Sequence, residues 1–305
     1  MDGNVPLGAV LVGLDASAGS ARALDWAATE ARRRGWPLHL MHVVDVSHRA
    51  WPTYSMTRQV HRPVIGDALA RLSQTHVGLK VSWSQPTGEP ARVLAAAARR
   101  CRLVVVGSRG RGAVADAFLG STTNRLIAQT RCPVVVLRAD TPVPRPQAPV
   151  VVGLECARPF VRVLETAFEQ AGGRHLDLVV VHMLQADDSL SGDGSDLRCD
   201  ATDEAQQREI ERLATSLADV ARSHAPLQIT TLSVPEGAAE ELRRRVADAS
   251  LAVVGARGHG EFGSAVLTPV NQRVIRSAGC PVLVVRDGRK PLLTSPSRTA
   301  AGATS

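Results

Sequence analysis

The clearest chemical signal in the chain lies between Leu103 and Thr122. Leu103-Val104-Val105-Val106 runs into Gly107, glycine recurs at 110, 112 and 120, and Ser121 and Thr122 follow directly. An unbroken apolar run is the pattern of a strand buried on both faces, and its break into glycines is a loop leaving the end of that strand. Gly120-Ser121 then opens a helix expected from Thr122 to Thr130. Without a Cβ, the glycines let backbone N–H groups come close to an anion. The hydroxyls of Ser121 and Thr122 and the positive end of the helix dipole add donors and field. Arg109 and Arg111, inside the loop, add charge that phosphate would neutralise. The chemistry is phosphate binding, and it is not of the Walker form, because no Gly-Lys-Ser/Thr follows the loop.

A carboxylate stands ready at a second strand end, where Val12-Gly13-Leu14 closes on Asp15. In doubly wound α/β folds that place faces the ligand crevice, where a carboxylate accepts hydrogen bonds from ribose hydroxyls or an adenine amino group. Taken alone, Asp15 is a turn or cap residue; beside the glycine loop, ligand contact is the favoured reading. A catalytic set is not found: there is no nucleophile elbow, kinase set or metal-hydrolase motif. Asp116 is the only carboxylate of the glycine loop, and it reads as a solvated charge. His42 and His182 have no second ligand at metal spacing and read as core or crevice lining. Cysteines 101, 132, 156, 199 and 280 show no CxxC spacing and read as reduced structural thiols. No catalytic residue and no metal site is expected.

Composition bounds the answer further. With 305 residues, 44% hydrophobic and 21% charged, the chain is long enough for two ordinary globular domains. No apolar run reaches the roughly 20 residues of a membrane helix, and no basic-then-apolar leader opens the chain, so a cytoplasmic location is expected. The net charge of +7 raises the question of nucleic acid. Its arginines fall mostly where helices should end, as at Arg32-Arg33-Arg34 and Arg243-Arg244-Arg245, and are expected to be solvated there. Aromatic residues, at 3%, are too few for base-stacking platforms, so nucleic acid is not the expected partner.

The elements that must position these groups occur twice. Leu103 to Gly112 aligns without gaps to Leu251 to Gly260, with Gly107 on Gly255 and Gly110 on Gly258, and the register continues to Cys132-Pro133-Val134 on Cys280-Pro281-Val282. Val12 to Asp15 likewise pairs with Val152 to Glu155. In the first copy, strands are expected at Gly8 to Leu14, Leu38 to Val44, Leu79 to Trp83, the run into Gly107, and Val134 to Arg138. Helices alternate with them over about 21–34 capped by Ser20, Val64 to Thr75, and Pro90 to Arg100. Such alternation specifies an α/β fold: two Rossmann-like domains in tandem, each a doubly wound, mostly parallel five-stranded sheet. The domains are placed at 1–140 and 149–287, with a Pro-rich linker at 141–148, a polar insert from Asp187 to Asp200, and a disordered tail at 288–305.

The spacing Gly107, two residues, Gly110, nine residues, Gly120-Ser121 resembles the signature of the universal stress protein family in its ATP-binding members. The resemblance covers roughly 7 to 286. It implies ATP as ligand, with Mg, held by Gly13, Leu14, Asp15, Val43, Val44, Val106, Gly107, Arg109, Gly110, Arg111, Gly120, Ser121 and Thr122. Asp15 would contact the adenosine, and the backbone of Val43 or Val44 the adenine edge. It also implies a stress-response or regulatory binding module acting through an unidentified protein partner. A slow ATPase and a nucleotide-independent interaction module are the alternatives. Family members pair through their last strands. Val134 to Arg138 and Val282 to Arg286 are therefore expected to form a pseudo-dimer within one chain, with a homodimer as a further way to pair. The second copy keeps Gly255 and Gly258 but replaces Asp15 by Glu155 and Gly120-Ser121 by Thr268-Pro269, so phosphate binding there is expected to be weak or absent.

Overall fold

A computed structural model describes residues 4–45, 54–108, 119–155, 160–184, 203–234, 238–258 and 265–286. Arg109, Gly110, Arg111, Gly112 and Asp116, the Asp187–Asp200 insert and the 288–305 tail lie outside the described residues. The first half runs β1 (Ala9–Gly13), α1 (Ala18–Arg34), β2 (Leu38–Met41), α2 (Tyr54–Thr75), β3 (Val81–Ser84), α3 (Pro90–Ala98), β4 (Cys101–Gly107), α4 (Ser121–Gln129) and β5 (Val134–Leu137). The second repeats it with β6 (Val150–Glu155), α5 (Val161–Gly172), β7 (Leu178–Met183), α6 (Asp203–Ala221), β8 (Ile229–Val234), α7 (Ala238–Ala247), β9 (Leu251–Gly258), a two-residue β10 (Ala265–Val266), α8 (Pro269–Ser277) and β11 (Val282–Arg286).

The two five-stranded halves join into one sheet of order β3-β2-β1-β4-β5-β11-β9-β6-β7-β8, with β10 alone off this path beside β9. Within each half the main strands are parallel. At the junction β11 runs antiparallel to β5, with Val282 opposite Val136, Leu283 opposite Val135 and Val284 opposite Val134. The expected pairing of last strands is therefore present inside one chain, and it leaves neither of these strands as an open edge. Because the halves meet head to tail, the ligand ends of the strands in one half lie beside the opposite strand ends of the other.

Strand alternation sorts the core into two layers. Val10, Val12, Val105 and Val135 face α1 and α2, and the equivalent layer continues under α5 and α6. Leu11, Val104, Val106, Val134 and Val136 face α3 and α4, and that layer continues under α7 and α8. Helix α1 packs closely because Ala23, Ala27 and Ala31 are fully buried, as their spacing leads one to expect.

Several boundaries differ from the sequence reading. The N-cap of α1 is Ser17, whose hydroxyl accepts from the Ser20 N–H at 3.1 Å. A left-handed turn at Ala16 (φ 62°) starts the helix early, and the Ser20 hydroxyl instead donates to the Ser17 carbonyl at 2.9 Å. Helix α2 begins at Tyr54, upstream of Pro63, which lies inside it instead of before it. Helix α4 begins at Ser121 and ends at Gln129, α3 ends at Ala98, and β3 covers Val81–Ser84.

The arginines closing α1 are not merely solvated. Glu30, 2% exposed, accepts ion pairs from Arg33 at 2.6 Å, Arg34 at 3.1 Å and, across the junction, Arg174 at 2.9 Å. Arg33 also donates to the Gly173 carbonyl, and Arg34 to that of Glu169 at 3.3 Å, so the end of α1 is tied to the end of α5. These contacts span some 135 to 144 positions of sequence, which is why local helix-end logic does not reveal them.

Candidate functional site

The first half places its candidate groups where β1 and β4 lie side by side, the point at which strand order reverses. Strand β4 delivers Val106 and Gly107. The chain leaves at Ser108 and returns at Gly120, whose N–H donates to the Ser108 carbonyl at 2.8 Å and pins the neck of the glycine loop. Thr123 holds the start of α4 against the strand end through a 2.9 Å bond from its hydroxyl to the Gly107 carbonyl. Gly120 is the N-cap and supplies no side-chain cap. Its φ of −57° is open to any residue, so what glycine contributes here is the missing Cβ. Ser121 is exposed and Thr122 half-buried, so the first turn of α4 presents backbone donors, hydroxyls and the positive helix end to the crevice.

Opposite stands Asp15, partly exposed, with described hydrogen bonds that all fall on Oδ1: the Ser17 N–H at 3.0 Å and the Ser17 hydroxyl at 2.6 Å. The turn role is thus present, and no described hydrogen bond falls on Oδ2. Gly13 is set by packing: a Cβ there would meet Val106 at 3.1 Å and Leu94 at 3.3 Å. Leu14 is buried, and its carbonyl accepts from His42 Nδ1 at 2.7 Å, which fixes that ring as crevice wall. The Val44 N–H is committed to the Pro86 carbonyl at 2.9 Å, and its carbonyl accepts from Gly88 at 3.0 Å. Val43 is the less buried of the pair.

The second half repeats the frame and closes it. Asn271 stands where Thr123 stands and makes the same bond, Nδ2 to the Gly255 carbonyl at 2.7 Å. At the Gly120 position, Thr268 caps α8 by accepting from the Asn271 N–H at 3.2 Å, and Pro269 follows at the first helical position. The Glu155 carboxylate, a methylene longer than Asp15, reaches across the crevice. It accepts from the Thr268 hydroxyl at 2.6 Å and from Asn271 Nδ2 at 3.1 Å. The protein's own anion thus sits at the end of the helix that a phosphate would use, and Thr268 and Asn271 are buried around it. Gly258 ends β9, paired with Ala265 of β10. Sequence reading found Glu155 and Thr268 as substitutions but missed that they bond one another. The alignment of Thr123 with Asn271, polar at the same place after the loop, was the available signal.

Burial pushes the thiols of Cys101 and Cys280 up to about 12 and that of Cys132 well above its ordinary value, so these sulfurs stay protonated. His182, fully buried, has its pKa lowered by burial, against the pull of Glu209 at 3.5 Å. Among the described residues no group of three or more His, Cys, Asp or Glu is arranged to hold a metal ion. Among the same residues no helix is long and apolar enough to cross a membrane.

Sequence comparison matches the universal stress protein family twice, at residues 7–138 and 149–286. The chain belongs to the universal stress protein family. Two universal stress proteins of Mycobacterium tuberculosis are similar to it along their whole length. One is 31% identical over 291 residues, covering 91% of this chain and 96% of that protein; the other is 32% identical over 301 residues, covering 93% and 98%. Among solved structures, a universal stress protein from Archaeoglobus fulgidus covers 92% of this chain and 98% of its own at a TM-score of 0.66 and 18% identity, a likeness of fold. A universal stress protein family structure from Arabidopsis thaliana, described with AMP bound, covers 44% of this chain and 96% of its own, at 19% identity and a TM-score of 0.32. This universal stress protein is therefore a tandem one, with one family domain in each half.

Proposed function

We propose that the first half binds ATP as its Mg complex, and that the second half is chiefly its structural partner. One contrast carries the reading. Among the described residues the α4 N-terminus has no side-chain cap, and it faces Asp15 across the strand-order reversal, whereas the matching α8 end is capped by Thr268 and occupied by Glu155. A nucleotide's phosphates would lie on the first turn of α4 with Ser121 and Thr122, and Gly107, Arg109, Gly110 and Arg111 would complete the cradle. Adenosine would lie between Asp15 and the Val43 edge. Mg would arrive on the phosphates, as it commonly does at nucleotide sites with few protein ligands.

The same reading makes the protein a nucleotide-dependent cytoplasmic regulatory module with little turnover. In-line attack on a γ-phosphate needs a base or water-orienting group, and the titratable groups described at the crevice are already engaged, Asp15 with Ser17 and His42 Nδ1 with the Leu14 carbonyl. Isothermal titration with ATP and Mg tests it. The expected result is about one site per chain, while two equal tight sites would show that Glu155 does not close the second half. Free ATP at about 100 times its Kd should stabilise the chain by about 2.7 kcal/mol.

A further inference from the structure

Beside the open end of α4 stands a cation on a weak tether. Helices α3 and α4 follow β3 and β4, so both begin at the carboxyl ends of their strands, and they pack side by side. The start of α3 is capped from within the chain: the Glu89 carboxylate accepts from the Ala91 N–H at 3.2 Å and from the Arg92 N–H at 2.9 Å. From α4, the Arg125 guanidinium lies 3.8 Å from the same carboxylate. This is a charge contact beyond hydrogen-bond distance, with 64% of the Arg125 side chain and 35% of the Glu89 side chain exposed. Pairs so open to water hold weakly.

Arg125 follows Ser121 by four residues, both are exposed, and residues so spaced share a helix face. The step between them is about 6 Å of helix rise, and long helical side chains lean back toward the N-terminus. Contact with Glu89 places the guanidinium at the level where both helices begin. The repeat carries Arg273 at the matching step of α8, but there Glu155 already lies at the helix end, bonded to the Thr268 hydroxyl. Among the described residues, therefore, only the arginine of the first half borders a helix start without a side-chain cap. A phosphate offers the guanidinium fork two oxygens at once, and a triphosphate brings more charge than a single carboxylate.

We propose that Arg125 is a specificity residue for the length of the phosphate chain. On the nucleotide reading of the first half, it leaves Glu89 for the outer phosphates of a nucleotide seated on α4, so that triphosphate is favoured over monophosphate. Calorimetric titrations of ATP and of AMP into the full chain, Arg125→Gln and Glu89→Ser test this. Arg125 is largely exposed, so its replacement leaves the core intact. Serine at 89 keeps a cap acceptor for α3 and removes the charge that holds Arg125. In Arg125→Gln, ATP affinity is expected to fall about tenfold or more, the scale of a lost charged partner, and AMP affinity by less than about twofold. In Glu89→Ser, where the guanidinium is released, the ratio of ATP to AMP affinity is expected to rise. Equal weakening of ATP and AMP in Arg125→Gln would overturn the proposal, because the arginine would then only support the rim. So would a Glu89→Ser ratio that falls as far as that of Arg125→Gln. A parent chain that binds neither nucleotide would overturn the nucleotide reading together with this one, whereas ATP bound by the parent and bound equally well by Arg125→Gln would overturn this one alone.

Discussion

At the scale of single residues, one methylene decides between an open crevice and a closed one. Asp15 turns back on Ser17, while Glu155 spans to Thr268 and Asn271. Gly120→Val is expected to abolish ATP binding with the thermal midpoint nearly kept, since Gly120 lies at a helix start with an ordinary φ and its value is backbone approach. Asp15→Ala should weaken ATP by about 1 to 3 kcal/mol, the scale of a lost hydrogen bond to a charged group. Titration calorimetry on both variants checks this, and unchanged affinity in both would place the ligand elsewhere. Glu155→Ala should not create a second ATP site, because Pro269 still lacks an N–H and Thr268 still caps. It should cost about 1 to 3 kcal/mol in denaturant stability through the buried Thr268 and Asn271 groups left without their acceptor. A stoichiometry rising to two would show that the glutamate alone blocks the site.

Strands and helices show where local sequence logic succeeds and where it stops. His39 of β2 is fully buried between the hydroxyls of Ser82 and Ser84 on β3, both at 2.8 Å, and burial pushes its imidazole down to about 4. The unfolded ring takes up a proton near 6.5 and the folded ring only near 4, so the unfolded state binds more protons between those values. Stability is therefore full above about 6.5, falls as pH drops toward 4, and levels off below; His182, lowered in the same sense, adds to the slope. Thermal midpoints from pH 7 to 4 should show this fall, made shallower by His39→Gln, and an identical slope in that variant would remove His39 as its source. The strands themselves were legible from apolar runs, and the tandem plan from the Gly107/Gly255 register, because each apolar run and each copy of the glycine motif is a contiguous stretch of sequence. Capping was legible only in kind. Ser20 was the expected cap of α1, and the left-handed Ala16 turn gives that role to Ser17. The His39–Ser82–Ser84 chain joins residues of separate strands, so no local pattern could announce it, and the Glu155 closure left only the alignment of Asn271 on Thr123 as a signal.

At the scale of the molecule, the question is what makes two family domains one body. The β5–β11 ladder contributes three residue pairs, and both core layers pass through it from one half to the other, so the halves should unfold together. The second tie is Glu30, which holds α1 to α5 through Arg33, Arg34 and Arg174. Burial raises its pKa, but the surrounding guanidiniums outweigh that and hold the carboxyl below its ordinary 4.5. Arg174, for its part, is pushed down to about 10 by burial, against the pull of Glu30. A depressed carboxyl contributes its full stability above the unfolded value and loses it as pH falls through the folded one, so this tie should fail only below about pH 4.5, where the loss from His39 is nearly complete. Glu30→Gln leaves three guanidiniums without their counter-charge in a closed junction, a change that typically costs about 3 to 5 kcal/mol. The expected outcome at pH 7 is one cooperative calorimetric transition, moved to lower temperature, with the stability loss below pH 4.5 diminished relative to the parent chain. Two separate transitions in the parent chain would mean that the halves are merely linked. A Glu30→Gln midpoint equal to the parent's would mean that the strand ladder alone joins them.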